Sequence, residues 1–360
     1  MQTEKIFEGL HVVDLSSVLA GPSVATFFAE LGATVVKIEN KTTNGDVTRL
    51  WKLPSEPPNA LSAYYCSVNY RKKVLFLDLN TAEDQQKVKD FCKTADIVVS
   101  NFKPSSAAQW GVSYDDLKTE NPRLIFAQLY GFSADNDAPA FDVVLQALTG
   151  YLSMNGLPNQ QKPTKMPVAL IDVLAAHQLK QAVLIALYQR EKTGRGSFVS
   201  TSLFDAAIAS LTNQATNWLM ANQIPQKMGA EHPNIAPYGD TFLTKDKKSV
   251  VLACGTEKQF QQLCMVLKLE NLFMESEFST NVNRVVHRQQ LNRILEKSIR
   301  KFESQTLFQQ LESHKIPHAP ILDMQEVFEQ PLAKRMILEE KNGNQLTKRV
   351  KTVAFQIKNT

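Results

Sequence analysis

The feature that most constrains this chain is the order in which two hydrophobic periods alternate near its start. His11-Val12-Val13-Asp14-Leu15 is a short β-branched run and reads as a strand. Gly21-Pro22 interrupts it, Pro22 suiting the first residue of a helix. Ser23 to Leu31 carries apolar residues at helical spacing and is closed by Gly32, after which Thr34 to Ile38 reads as a second strand. Further strands are expected at Val74–Leu79, Asp96–Ser100 and Leu124–Leu129, with a helix at Asp84–Thr94 behind Thr81 as N-cap. Strands separated by helices pair in parallel through crossovers. The pattern therefore predicts an α/β fold, with a Rossmann-like large domain whose parallel sheet is covered on both faces.

The middle of the chain changes character. Phe141–Tyr151, Leu174–Gln189 and Ser202–Ala221 read as long helices, and Thr193-Gly194-Arg195-Gly196 breaks the second from a short strand at Ser197–Ser200. Residues 222–238 turn polar and contain Pro225, Pro233 and Pro237, as a linker does. Strands follow at Asp240–Leu243 and Ser249–Ala253, then helices at Lys258–Leu267, Asn283–Phe302 and Thr306–His314. The expected organisation is a large domain over 1–225, a small α+β domain over 226–325 and a return segment over 326–360. That segment ends on a strand-like Thr352-Val353-Ala354-Phe355.

Composition removes several function classes. With 43% hydrophobic and 21% charged residues among 360, the chain is neither a disordered segment nor a coiled-coil rod. The net charge of +4 is dispersed, with no basic stripe of the kind that binds nucleic acid. Residues 1–10 hold acids and no apolar signal core, and no uninterrupted run of about 18 apolar residues is read, so no membrane association is expected. The four cysteines form no C-x-x-C pair, as in a reducing compartment, and a cytoplasmic location is expected. The six histidines show no metal-ligand spacing, so no metal is expected.

A βαβ start invites a nicotinamide site, but the turn Ser16-Ser17-Val18-Leu19-Ala20-Gly21-Pro22 has a single glycine where the dinucleotide fingerprint needs three. The P-loop and the G-x-S-x-G elbow are absent too. Among the acids Asp172 stands out, because Pro167 to Ala176 flanks it with apolar residues at a helix start. A carboxylate there caps the helix, or lies exposed in a cleft as a nucleophile steadied by the helix N-terminus. Asp142, before another helix, allows the same two roles, capping being favoured.

Several short motifs then recur in one order. They include Val13-Asp14-Leu15, Ala20-Gly21-Pro22, Lys37-Ile38-Glu39, Leu77-Asp78-Leu79, Asn101-Phe102-Lys103-Pro104, Tyr130-Gly131-Phe132 and Thr193-Gly194-Arg195-Gly196. Ser202-Leu203-Phe204-Asp205 and Gly255-Thr256-Glu257 follow. In this order, over nearly the whole chain, they resemble the family III CoA-transferases, the group that includes formyl-CoA transferase and carnitine CoA-transferase. The resemblance implies a homodimer of interlocked, ring-like subunits. It implies that Asp172 is the nucleophile, and that coenzyme A is a substrate, with no resident cofactor. It also implies CoA contacts from Val18, Leu19, Ala20, Lys41, Lys72, Asn101 and Phe102.

The expected reaction moves CoA between an acyl-CoA and a carboxylic acid through an aspartyl anhydride and an aspartyl-CoA thioester. Two alternatives stand beside it. An α-methylacyl-CoA racemase, from the same superfamily, needs a base on each side of the α-carbon, and Phe141 stands where its histidine would precede Asp142. A CoA-binding protein without catalysis leaves Asp172 without a purpose.

Overall fold

The computed structural model describes residues 5–357. In chain order the first elements are β1 (His11–Asp14), α1 (Ala20–Glu30), β2 (Thr34–Asn40), α2 (Ala63–Ser67) and β3 (Lys72–Leu77). They are followed by α3 (Ala82–Lys93), β4 (Ile97–Ser100), α4 (Pro104–Gln109), α5 (Tyr114–Leu117) and β5 (Ile125–Tyr130). Next come α6 (Asp142–Leu148), α7 (Tyr151–Met154), α8 (Leu170–Thr193) and β6 (Ser197–Ser202). The six strands pair in parallel in the order β3-β2-β1-β4-β5-β6. This is the mixed α/β architecture expected from the alternating periods.

Burial explains why the sheet forms where it does. All four residues of β4, at the centre, are buried, as is every residue of α1. Val13, Leu15, Val88, Cys92, Val98 and Phe126 belong to one core cluster that joins α3 to the sheet. The side chain of Thr81 accepts from Asp84 N, as expected of an N-cap.

Several helix limits differ from expectation, the helix expected over Phe141–Tyr151 being two, α6 and α7. α1 starts at Ala20, so Pro22 lies within its first turn, where its missing N–H would have had no helical acceptor. α8 starts at Leu170, four residues earlier than its apolar period suggests. The long helix expected from Ser202 is two, α9 (Leu203–Ala209) and α10 (Thr212–Ala221), with Thr212 at φ 44° marking the break.

α8 also corrects the expectation about long apolar runs: its 24 residues are long and apolar enough to cross a membrane by length and composition. Asp172, His177 and Lys180 interrupt the run and hide it from a search for uninterrupted apolar stretches. In the structure α8 packs on α1, α9, β5 and β6, with Ile171, Ala175, Leu179 and Val183 buried.

The described residues divide into two compact units, one built from 5–150, 166–213 and 332–357, the other from 151–165 and 214–331. The second unit holds an antiparallel sheet of β7 (Tyr238–Leu243), β8 (Ser249–Ala253) and the three-residue β9 (His318–Pro320). Its helices include α11 (Glu257–Val266), α12 (Asn281–Val286), α13 (Arg288–Ile299) and α14 (Ser304–Ser313). Phe242, Val250, Phe260, Leu291 and Leu307 meet in its core. The single helix expected over Asn283–Phe302 is broken at His287.

The return segment forms a hairpin of β10 (Ile337–Asn342) and β11 (Gln345–Val350) within the first unit. The strand expected at Thr352–Phe355 is absent. The N–H groups of Thr352 and Val353 donate to the Glu30 carboxylate instead, at 2.9–3.0 Å, so a side chain of α1 takes the bonds a neighbouring strand would have made.

Candidate active site

The sheet order reverses between β1 and β4, and in open α/β sheets the crevice outside the strand C-termini at such a point is where ligands bind. The two loops that leave those strands are clasped together. Ser17 N donates to Asn101 Oδ1 at 3.1 Å, and Asn101 Nδ2 donates to Ser17 O at 3.0 Å. Beyond the clasp Val18 takes φ 72°, a left-handed conformation unusual for a β-branched residue. The chain then enters α1. Its N-cap, Leu19, supplies no side-chain acceptor, and the N–H groups of Ala20 and Gly21 have no partner within the helix, whose first bond runs from Ser23 N to Leu19 O. Gly21 is required by close approach, since a Cβ there would sit 2.3 Å from Ser16 Cβ.

A cavity of about 220 Å³ opens above this turn, lined by Val18, Leu19, Ala20, Phe102, Phe141 and Asp172 among others. Asp172 is the third residue of α8, and it is not the cap of that helix. The cap comes from α6: Asp142 Oδ1 accepts from Ile171 N at 2.7 Å, while Asp142 Oδ2 accepts from Gln146 Nε2 at 2.5 Å. Gln146 Oε1 in turn accepts from Met166 N at 2.9 Å, which holds the approach to α8. Asp142 therefore caps a helix, as favoured, but not the one it begins. Asp172 is left with no hydrogen bond to its carboxylate among the described residues. Burial, and then the charge of Asp142, push its pKa up to about 7.

The expected CoA-contacting residues separate into two groups. Val18, Leu19, Ala20, Asn101 and Phe102 gather with Asp172 around the one cavity. Phe102 and Ser17 also line a second hollow of about 210 Å³ at the ends of β1, β2 and β3, where Trp110 meets the Phe102 ring edge-on at 5.1 Å. The two hollows thus share a wall. Lys41 lies on the exposed turn after β2 and lines neither.

Lys72 requires a correction. Its side chain is fully buried, and Nζ donates to Asp14 Oδ2 and Pro22 O at 2.8 Å and to Asn69 Oδ1 at 3.1 Å. All three ammonium hydrogens have protein acceptors, so this lysine is an internal strut and does not face a ligand phosphate. Although burial alone would raise the Asp14 pKa, the ammonium groups of Lys37 and Lys72 hold it below the usual carboxylate range.

Two features escaped the sequence reading. Tyr64, on the five-residue α2, has its hydroxyl pushed up to about 12 by burial and then by the charges of Asp172 and Asp142, and Trp51 meets its ring at 5.0 Å. A helix this short shows no readable period. The other is Asp46, which accepts from Val18 N at 3.1 Å across 28 residues and left no local signal.

A family profile described as CoA-transferase family III matches residues 7–360. The succinate–glutarate CoA-transferase of Agrobacterium fabrum is 32% identical over 346 residues, covering 93% of this chain and 86% of that relative. The acetyl-CoA:oxalate CoA-transferase of Acetobacter aceti is 30% identical over 338 residues, covering 92% and 85%. A solved CaiB/BaiF family structure from Brucella suis superposes with a TM-score of 0.83 at 31% identity, covering 98% of this chain and 93% of that one. With the parallel sheet, the clasped turn and the acid-bearing cavity in one unit, these matches show that the chain belongs to CoA-transferase family III and is a CoA-transferase.

Proposed function

We propose that this enzyme moves CoA between an acyl-CoA and a dicarboxylic acid, with Asp172 as the nucleophile. The observation that carries the proposal is the Asp172 carboxylate. It lines the same cavity as Leu19 and Ala20 at the start of α1 and has no hydrogen bond among the described residues. Dicarboxylates are the substrate class because succinate, glutarate and oxalate occur in the names of relatives.

In the proposed reaction an Asp172 oxygen attacks the thioester carbonyl, the C–S bond breaks, and an aspartyl anhydride and CoA thiolate result. The thiolate attacks the aspartyl carbonyl of the anhydride, releases the donor acid as carboxylate and leaves an aspartyl-CoA thioester. The acceptor carboxylate attacks that thioester to form a second anhydride and thiolate. Attack of the thiolate on the acceptor's own carbonyl yields the new acyl-CoA and regenerates Asp172. Every step develops an oxyanion, and the first-turn N–H groups of α1 are the donors suited to it.

In this proposal the pantetheine arm passes over Val18, Leu19 and Ala20, beside Asn101. Phe102 and Trp110 offer ring surface for adenine in the second hollow, with Lys41 near enough in sequence to Asn40, which lines it, to meet a phosphate. No resident cofactor is invoked. A homodimer is part of the proposal, supported by the exposed apolar Leu184, Ile185 and Tyr188 on α8. So is a cytoplasmic location, supported by four free, buried cysteines. The racemase alternative lacks its second base, because Phe141 stands in the cavity wall where a proton carrier is needed.

The test is mass spectrometry of the protein after incubation with succinyl-CoA, followed by hydroxylamine. Before hydroxylamine, an adduct of CoA mass on the peptide containing Asp172 is expected; after it, the aspartyl hydroxamate that forms as the thioester is cleaved and CoA released; both are absent in Asp172→Ala. A protein that exchanges CoA between acids with no adduct at Asp172 overturns the nucleophile.

A further inference from the structure

We propose that Asp46 is a positioning residue for the turn from Ser16 to Ala20: backed by Lys37, it holds Val18 in the left-handed conformation that brings Leu19 and Ala20 to the cavity wall. The inference rests on the reading of that turn as CoA-binding surface. It adds a residue that lines the second hollow and takes no part in the chemistry.

The argument begins with the backbone of Val18. At φ 72° a valine places its branched Cβ against the following carbonyl, an arrangement that glycine adopts freely and valine resists. Outliers of this kind persist only where surrounding structure over-determines them, and they cluster at functional sites. Here four hydrogen bonds, made by Asn101, Lys37 and Asp46, restrain the turn. The Asn101 side chain holds Ser17 through both its N–H and its C=O, at 3.1 and 3.0 Å. Lys37 Nζ donates to Ser16 O at 2.6 Å. The fourth bond acts on Val18 itself, whose N–H donates to Asp46 Oδ2 at 3.1 Å.

Asp46 is suited to this because it cannot move. Its Oδ1 accepts from Thr48 N at 3.0 Å and from Thr48 Oγ1 at 2.8 Å, and its own N–H donates to Glu39 Oε2 at 3.0 Å. Lys37 Nζ lies 3.3 Å from Oδ2, with both side chains buried. One ammonium group thus touches the turn at Ser16 and also backs the carboxylate that holds Val18. Breaking the Val18 bond would let φ return to the negative region that valine prefers. Leu19 and Ala20, the next residues along, would then leave the cavity wall.

A structural ion pair alone would cost stability when broken, without changing the kinetics of the molecules that remain folded. The position of Val18 makes a different forecast: glycine at residue 18 removes the conformational penalty and substitutes for part of the work of Asp46. The experiment uses the full chain and the variants Asp46→Asn, Asp46→Ala, Val18→Gly and the double variant D46A/V18G. Succinyl-CoA and glutarate serve as substrates, and CoA binding is measured by calorimetry below the melting transition of each variant.

In D46A, KM for succinyl-CoA is expected to rise and kcat to fall together, lowering kcat/KM by about 30-fold or more. D46N, which keeps an oxygen acceptor for Val18 N–H, is expected to lose less than about fivefold. Adding V18G to D46A is expected to recover about tenfold. Wild-type kinetics in folded D46A, or no recovery in the double variant, overturns the inference. If D46A does not fold, the comparison moves to D46N with and without V18G, where a D46N loss beyond about fivefold, or a D46N loss that V18G fails to reduce, overturns it. A wild-type protein that fails to bind CoA overturns the reading of the turn as CoA surface. Wild-type binding that the Asp46 variants retain in full overturns the role of Asp46.

Discussion

Asp142 and Ile171 are joined by a hydrogen bond of 2.7 Å that crosses from the first residue of one helix to the second residue of another. Through this bond α6 supplies the cap that α8 lacks, and the neighbouring Asp172 is relieved of that duty. The same arrangement sets a second negative charge beside Asp172, which adds to burial in raising its pKa. One carboxylate is structural, accepting from both helices; the other is left to react.

Replacing Asp172 with alanine should therefore abolish transfer with little loss of stability. Steady-state assays are expected to show a fall of more than about 10³-fold, as for removal of a covalent nucleophile. Near pH 4, where the buried charge is absent, unfolding free energy should not fall by the ~1 kcal/mol that a lost cap costs, because no capping bond is lost. A fall as large as that of a lost cap would show that Asp172 does hold the helix.

Asp142→Ala should have the complementary effect. The α8 cap is lost, at a cost of about 0.5–2 kcal/mol measured by denaturant unfolding. Removing the negative charge should also move the acid limb of the kcat/KM profile to lower pH, though only part of the way, since burial is the larger cause of the Asp172 shift. An acid limb that stays in place would mean that Asp172 does not titrate in that profile.

The raised pKa of Asp172 carries a stability forecast whose sign is fixed by linkage. Between the ordinary aspartate value of 3.8 and about 7 the folded state binds the proton more tightly than the unfolded chain does. The stabilisation is fully present below the unfolded value and is lost as pH rises through about 7. Asp172→Asn should therefore melt close to wild type near pH 4, and above it at pH 8 by an amount corresponding to about 1–4 kcal/mol. Activity runs the other way, since the ionised carboxylate is the nucleophile and rate should rise with pH through about 7. Equal melting of the two proteins at pH 8 would contradict the raised pKa.

Lys72→Met should weaken the fold rather than ligand binding. It leaves Asp14 with Lys37 at 3.8 Å as its remaining ammonium neighbour, and breaking a buried pair costs about 3–5 kcal/mol. The loss should be nearly independent of salt, because a buried pair is poorly screened. Affinity for CoA in the folded fraction should change little. A loss of CoA affinity that high salt erases would return Lys72 to the ligand.

A transferase has no reason to touch the α-proton of its substrate. With a 2-methylacyl-CoA in deuterium oxide, nuclear magnetic resonance should show no enzyme-dependent label at the α-carbon. Rapid deuteration that Asp172→Ala removes would install the racemase in place of the transferase, with a base other than Phe141 on the second face.

Local periodicity determined the parallel sheet, because a β-branched run of four to six residues and an amphipathic turn each declare themselves within a few positions. β1, β2, α3 and β4 were legible for that reason. So was Asp172 as an unusual acid, flanked by apolar residues where a helix begins. Several elements that went unread are short: α2, α4 and α5 have four to six residues, too few to show a helical period, and β9 has three; the six-residue strands β10 and β11, rich in charged residues, also went unread. The roles of the charged residues were not local at all. Whether Asp172 capped its helix depended on Asp142, 29 residues before the bond's other end, and whether Lys72 met solvent depended on Asp14, 58 residues away. A carboxylate or ammonium group looks the same in sequence whether water, a ligand or another side chain satisfies it. Only the tertiary structure decides that partner, because burial and the distance to an opposite charge arise from packing and leave no local pattern.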